Sequence, residues 1–339
     1  MFKEVLNQLL NSQDLSHEDM LNVMRQVMAG ELTPAQISAF LIALRIKGET
    51  TDEIAAAATV MRELSIKVDI ANTQYLVDTC GTGGDGIQTF NVSTASAFVA
   101  AAAGAKVAKH GGRSVSSTCG SADVLEALGV NVNRTPEQVA ESLNSIGIGF
   151  MFAPNHHSAM KHTAPVRREL GVRTLFNLLG PLTNPASARR QVMGVFDKSL
   201  TIKLANVLQK LGSQHVMVVH GADGMDEISF SGDTYVSELK NDIVQEYVLN
   251  PTQFGLKLHD LKSIQVKNAE ESKQMILAVL KGELSTVTNP AREIVLLNAG
   301  AAIYIAGLTG TLEAGIIKAR TVIDSGAAYD KLAQLKSID

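Results

Sequence analysis

Three stretches hold residue types that do chemistry in combination. In GTGGDG, residues 81–86, Gly81, Gly83, Gly84 and Gly86 surround Asp85, and Asn91, Ser93 and Thr94 follow closely. Backbone N–H groups and hydroxyls on a strand–loop–helix path suit phosphate oxygens. KHGGRSVSS, residues 109–117, supplies Lys109, His110 and Arg113, the charges such an anion attracts. GADGMDEIS, residues 221–229, carries the adjacent carboxylates Asp226 and Glu227. Beside a phosphate, paired hard oxygen ligands suit Mg²⁺, which keeps waters and bridges to substrate oxygens.

Other assignments of the glycines fit less well. Gly81, Gly83 and Gly86 spell the G-x-G-x-x-G of a dinucleotide site. That site needs a helix starting in the loop and an acid about 20 residues on. Here QTFNVST delays the helix, and the corresponding stretch, AKVAKHGG, offers lysines and a histidine. A Walker loop fails because Ile87 and Gln88 stand where Lys and Ser or Thr belong. Taken singly, glycine clusters are often turns, Asn-x-Ser-Thr is often a cap, and Asp-Glu is often a solvated loop. Successive strand ends carrying all three favour a ligand, because open α/β sheets bind at the carboxyl ends of their strands. His156 and His157 are neighbours that do not share a helix face, so they are not a zinc pair, and His157 by itself reads as a capped or solvent-facing histidine.

The elements that must position these residues are legible from caps and periodicity. Up to about residue 70 the chain reads as helix. LTPAQISAFLIALRIKG offers Thr33 as N-cap, Pro34 at the first helical position and Gly48 as the stop, and TTDEIAAAATVMRELS offers Thr51 as the next cap. From YLVDT onward, β-branched runs alternate with Ala-rich helical patterns, through AKVAKHG, IGIGFMFAP, RQVMGVFD and HVMVVHG. Such alternation predicts a mostly parallel sheet covered on both faces. TYVSELKNDIVQEYVL predicts an antiparallel edge hairpin turning at Lys240-Asn241-Asp242, and the chain ends in helices. The fold class is α/β, with a small N-terminal all-α domain over 1–72 and a larger α/β domain with a mostly parallel central sheet over 73–339.

Composition narrows the function classes. Hydrophobic residues are 45% and charged residues 19% of the 339, which supports a large core. With 30 basic and 34 acidic residues intermixed, no Trp and 4% aromatics, neither a basic nucleic-acid face nor a base-stacking platform is expected. No apolar run reaches membrane-spanning length, and the first residues lack the pattern of a signal peptide, so a cytoplasmic, soluble protein is expected. Cys80 and Cys119 are too few for a disulfide framework or a zinc site.

The long stretch DTCGTGGDGIQTFNVSTASAFVAAAAGAKVAKHGGRSVSSTCGSADVLEALG resembles the core of the anthranilate phosphoribosyltransferases. The resemblance continues through FAPNHHSAMKHTAPVRRELGVRTLFNLLGPLTNP and GADGMDEIS and covers essentially the whole chain. It implies transfer of phosphoribose from phosphoribosyl pyrophosphate (PRPP) to anthranilate in tryptophan biosynthesis, with Mg²⁺, as two ions. It also implies a nucleoside phosphorylase-like fold, a helical domain joined by helices from about 160–185, a cleft site, and a homodimer through the helical domains.

Carried over by position, Gly81, Gly83, Gly84, Asp85, Thr89, Asn91, Ser93, Thr94, Lys109 and Ser121 match PRPP positions. Gly81, His110, Gly112, His157, Met160, Arg167 and Gly180 match the anthranilate path, and Ser93, Asp226 and Glu227 match the metal site. Lys109, His110 and Arg167 are the residues the resemblance places nearest the chemistry, with Arg167 suited to a bidentate pair with a carboxylate. Two positions depart from the family pattern: Gly112 stands where KHGN has Asn, and Ser158 where a proline is frequent. The rival expectations are a pyrimidine nucleoside phosphorylase-like enzyme, which is typically longer, and a non-catalytic nucleic-acid-binding homologue, which would show a basic groove.

Overall fold

The computed structural model describes residues 2–113, 119–285 and 288–338, the side chain of Thr288 excepted. Ser114, Val115, Ser116 and Ser117 of KHGGRSVSS lie outside the described residues.

Four helices open the chain: α1 (Phe2–Leu10), α2 (His17–Ala29), α3 (Pro34–Lys47) and α4 (Thr51–Leu64). Thr33 caps α3 as expected, accepting from the Gln36 N–H while the Gln36 side chain returns a bond to the cap. At α4 the expected cap is one residue off. Thr50, not Thr51, accepts from the Glu53 N–H, because only Thr50 has a carboxylate three residues on to close the reciprocal bond. Glu53 is fully buried there, and it also accepts from the Leu15 N–H at 2.9 Å and from Lys47 Nζ at 2.9 Å. One acid therefore caps a helix and ties α4 to the loop before α2.

The rest of the chain alternates. In order come β1 (Leu76–Gly81), α5 (Val92–Ala102), β2 (Lys106–Gly111), α6 (Ser121–Ala127), α7 (Pro136–Ser145), β3 (Ile148–Phe152) and the short helices α8 (Ala153–His156), α9 (Ala164–Leu170) and α10 (Phe176–Leu179). Then follow β4 (Arg190–Gly194), α11 (Leu200–Lys210), β5 (His215–Gly221), β6 (Thr234–Lys240), β7 (Ile243–Leu249), α12 (Ala269–Leu280), α13 (Thr288–Ala306), α14 (Leu312–Asp324) and α15 (Ala327–Ser337). The 7-stranded sheet has the order β3-β2-β1-β4-β5-β6-β7. The first five strands in that order are parallel, and β6 and β7 add an antiparallel edge hairpin whose turn residues Asn241 and Asp242 both have positive φ.

The faces follow from period-2 alternation. On β5, Met217 and Val219 enter a core with α5, α12, α13, α14 and α15. Val216 and Val218, on the other face, join a second core with α11, α1 to α4 and the segment from Val166 to Leu182. A helical domain is thus packed against one face of an α/β domain. Among the described residues, no helix is long and apolar enough to cross a membrane.

Strand order reverses between β1 and β4: the chain builds outward from β1 to β3, then returns to the opposite side of β1. That switch point leaves a crevice at the carboxyl ends of the two strands.

Candidate active site

Gly81 and Gly194 end β1 and β4 and sit side by side in register. Both are glycine because the loop after β5 presses into the crevice. A Cβ on Gly194 would lie 1.5 Å from the carbonyl oxygen of Asp226, and one on Gly81 would lie 2.4 Å from Asp226 Oδ2. The acidic loop and the glycine loop therefore share one space. Asp226 Oδ2 accepts from the Gly83 N–H at 2.8 Å, and Glu227 Oε1 accepts from the Ser93 N–H at 3.1 Å. From β2, Lys109 Nζ donates to Ser93 Oγ at 3.2 Å and to the Thr79 carbonyl.

Charge is crowded here. Burial raises the carboxyl pKa of Asp226, and Asp85 close beside it adds to the rise. Burial likewise raises Glu227, with Asp226 as the next cause. Burial lowers the Lys109 ammonium, opposed by Asp78, Cys80, Glu227 and Asp226. Three crowded acids with one buried lysine form a donor set that a divalent cation relieves, since a nearby positive charge restores their ionised form. Among the described residues, no three His, Cys, Asp or Glu side chains make a closed cage. Mg²⁺ in phosphate sites uses few protein ligands and completes its shell with water and substrate oxygens, so Asp226, Glu227 and the Ser93 hydroxyl fit it.

A second set lies at the end of β2. The buried carboxylate of Asp78 accepts from the His110 N–H at 3.3 Å and from Asn184 Nδ2 at 2.7 Å, and Asn184 also holds the Ala108 carbonyl at 2.9 Å. The His110 and His157 rings meet with centroids 5.1 Å apart. Burial, then the proximity of His157, lowers His110 to about 3, and burial, then His156, lowers His157 to about 4, so both imidazoles are neutral near pH 7. His110 Nε2, His157 Nε2 and Thr94 Oγ1 are buried without a hydrogen-bond partner among the described residues. Each such atom costs about 1–3 kcal/mol, a cost that a ligand able to reach it removes. His157 does sit at the C-cap of α8, its N–H donating to the Ala153 carbonyl, but its ring is buried rather than solvent-facing and makes no capping bond.

The remaining expected residues are less tightly gathered. Gly180 offers its backbone oxygen to His110. Arg167 is partly buried and lies 5.5 Å over the Phe176 ring, with no carboxylate partner among the described residues. Met160 is half-buried, with its sulfur 3.6 Å from Thr163 Oγ1. Among the described residues, nothing lies within 4 Å of where a Gly112 side chain would point. Ser121 Oγ bonds the Gly112 carbonyl at 3.4 Å, Thr89 bridges to Gln265, and the Gly84 carbonyl accepts from Arg173. Asn91 holds the N-cap position of α5, but its side chain makes no capping bond. Its carboxamide donates to the Cys119 carbonyl at 3.1 Å and accepts from Ser272 Oγ at 2.7 Å. Arg113 does not join Lys109, because Asp123 and Glu126 of α6 hold it.

Residues 73–329 match the model of the glycosyl transferase family, a/b domain, and residues 3–65 match its helical bundle domain. An anthranilate phosphoribosyltransferase of Methylobacillus flagellatus is 64% identical over 99% of this chain and 97% of its own length. The chain belongs to the anthranilate phosphoribosyltransferase family. The crystal structure of the Thermus thermophilus anthranilate phosphoribosyltransferase superimposes with a TM-score of 0.92 at 43% identity, covering 98% of both chains. The Saccharomyces cerevisiae enzyme in complex with PRPP and Mg gives 0.90 at 30% identity, covering 98% of this chain and 96% of that one.

Several residues around this anthranilate phosphoribosyltransferase site are not singled out from the sequence, although Arg173, Asn184 and Asp223 lie within the stretches that carry the resemblance. Asn184 and Ser272 hold Asp78 and Asn91 across 106 and 181 residues of chain. Arg173, stacked 3.9 Å over Phe196, links the glycine loop to Arg45 of α3. Asp223 accepts from the Met225 N–H at 3.1 Å and from the Ser229 and Ser231 hydroxyls, closing the loop that carries Asp226. Asp223 alone had a local clue, since an Asp-Gly before an acidic pair is a turn signal.

Proposed function

We propose that this chain transfers the 5-phosphoribosyl group of PRPP to the amino group of anthranilate, releasing pyrophosphate and N-(5-phosphoribosyl)anthranilate. The observation that carries this reading is 64% identity, over nearly the full length, to a protein of that name. With 34 acidic against 30 basic residues, the composition gives the nucleic-acid alternative nothing comparable.

Breaking the bond from ribose C1 to pyrophosphate builds positive charge on the sugar and negative charge on the leaving group. Gly81, Gly83, Gly84 and Asp85, with Thr89, Asn91, Ser93, Thr94, Lys109 and Ser121, hold PRPP. The Lys109 ammonium and preorganised N–H donors stabilise the departing oxygens. Asp226, Glu227 and the Ser93 hydroxyl would hold Mg²⁺, as two ions, which would supply neutralisation of the pyrophosphate charge. His110, His157, Met160, Gly180 and Gly112 line the acceptor path, and Arg167, which has no carboxylate partner among the described residues, receives that of anthranilate. Holding the amine against C1 supplies the entropic part of the rate. An aromatic amine is neutral at pH 7 and needs no base before it attacks. The neutral His110 imidazole accepts a proton after the C–N bond forms.

The helical domain, residues 1–72 with helices from about 160–185, closes the cleft against the domain of residues 73–339, and it carries the homodimer contact. Leu10 and Ile46, 68% and 80% exposed on helical-domain helices, support that contact. The site of action is the cytoplasm. The test is the loss of anthranilate fluorescence: decay that requires both PRPP and Mg²⁺ supports the reading, and silence from folded protein overturns it.

A further inference from the structure

The acidic pair is gripped from behind by a residue outside every motif. Asn298 lies in the middle of α13, flanked by Leu296, Leu297 and Ala299, all buried, and is itself 2% exposed. Asparagine is a poor helix former, and a buried carboxamide is costly unless its bonds are made. Here they are made, mostly to one residue. Asn298 Oδ1 accepts from the Ile228 N–H at 2.9 Å and Nδ2 donates to the Ile228 carbonyl at 3.0 Å, with its other hydrogen on the Ile294 carbonyl at 2.9 Å. Ile228 directly follows Glu227. Both backbone groups of that residue are thereby fixed to a helix 70 positions away.

Three contacts then leave the loop one height. The Ile228 clamp fixes one end, the Asp223 bonds close the turn, and Gly194 receives the Asp226 backbone from below. At that height the two acids reach two different elements, Asp226 the Gly83 N–H and Glu227 the Ser93 N–H. Asn298 also lines the small cavity beneath the site together with Thr79, Ser93, Ser96 and Glu227.

We infer that Asn298 is a positioning residue for the divalent cation: it acts through the Ile228 backbone to hold Asp226 and Glu227 at one distance from Ser93 and Lys109. This rests on the reading of Asp226 and Glu227 as the metal-binding pair. An apolar residue would fill the same space in α13 but leave the Ile228 N–H and carbonyl without these partners, so the carboxamide serves the loop and not the packing of the helix.

The experiment is titration of the full-length protein with Mn²⁺, followed by the electron paramagnetic resonance of the free ion, with and without PRPP. Asn298→Ser and Asn298→Asp are compared with Ile303→Val, a core change in the same helix. The Asn298 variants are expected to weaken Mn²⁺ by roughly 10- to 100-fold, with the KM for anthranilate within about twofold of wild type. Ile303→Val is expected to lower the unfolding midpoint and leave Mn²⁺ affinity alone. Wild-type Mn²⁺ affinity in both Asn298 variants would overturn the inference, provided Asp226→Asn and Glu227→Gln abolish binding. If those two also bind Mn²⁺ normally, the assignment of the acidic pair itself is overturned. Should the Asn298 variants not fold, hydrogen exchange in the wild type decides. The Ile228 amide is expected to exchange as slowly as the core of α13, and exchange at the rate of an exposed loop would refute the clamp.

Discussion

Asp226 accepts the Gly83 N–H at 2.8 Å, so the loop after β5 is bonded to the loop after β1 across 143 residues of chain. Its neighbour Glu227 makes the matching bond to Ser93 at the start of α5. Two adjacent side chains thus reach the glycine loop and the first turn of the helix that follows it, and they converge where Lys109 enters.

That convergence is costly to the fold. Burial raises both carboxyls, and each neighbouring acid raises them further. Asp226→Asn keeps an acceptor for the Gly83 N–H and removes a buried like charge. The expected outcome is an unfolding midpoint raised by roughly 2–4 °C in metal-free buffer. The same variant should lose Mg²⁺-dependent turnover. Calorimetry with chelator and the fluorescence assay check the two halves, and a lowered midpoint would contradict the electrostatic account.

Gly194 has ordinary backbone geometry, so the effect of a side chain there is purely steric. A methyl group would lie 1.5 Å from the Asp226 carbonyl oxygen, far inside contact distance. Gly194→Ala should displace the acidic loop and cost several kcal/mol, either lost in stability or visible as a large rise in the Mg²⁺ needed for half-maximal rate. A variant with wild-type midpoint and wild-type Mg²⁺ dependence would show that the loop does not bear on β4.

The histidine pair makes stability depend on pH in a defined direction. Both folded-state values, about 3 for His110 and about 4 for His157, lie below the ordinary 6.5. The unfolded chain therefore binds more protons than the folded one below pH about 6.5. Their contribution is full above that value and is lost as pH falls toward 4, at about 1 kcal/mol per pH unit for each ring. Thermal melts at pH 7.5, 6 and 5 should show the decline. His157→Asn should flatten it, and an unchanged slope in that variant would assign the acid sensitivity elsewhere.

Gly112 is the family departure that faces open space. A side chain there meets no atom of the described residues, so Gly112→Asn should leave the unfolding midpoint within about 1 °C of wild type. One added hydrogen bond, net about 1 kcal/mol, should lower the KM for anthranilate roughly fivefold and leave that for PRPP unchanged. Equal values for wild type and variant would mean that position 112 does not meet the acceptor.

Local chemistry determined much of this protein. Alternation of β-branched runs with Ala-rich stretches gave the parallel sheet, positive-φ residues at Asn241 and Asp242 gave the hairpin, and Thr33-Pro34 gave the start of α3. These features depend on neighbours in sequence, so sequence contains them. Where two such signals competed one residue apart, at Thr50 and Thr51, the reciprocal bond to Glu53 decided. The glycine loop, Lys109 and the acidic pair were also legible, because each lies at the end of a recognisable strand.

The tertiary structure decided which of those groups meet and what holds them. Asn91 reads locally as a cap, but its carboxamide is turned toward Cys119 and Ser272, 28 and 181 residues away. Arg113 reads as a partner of Lys109, but α6 captures it. His157 meets His110 only because the fold sets the two rings together, both buried. Asn298 has no local signal at all: an asparagine in an apolar helix is a defect until folding brings Ile228 to it. Hydrogen bonds between distant segments depend on strand order and layer packing, and no spacing in the sequence records those.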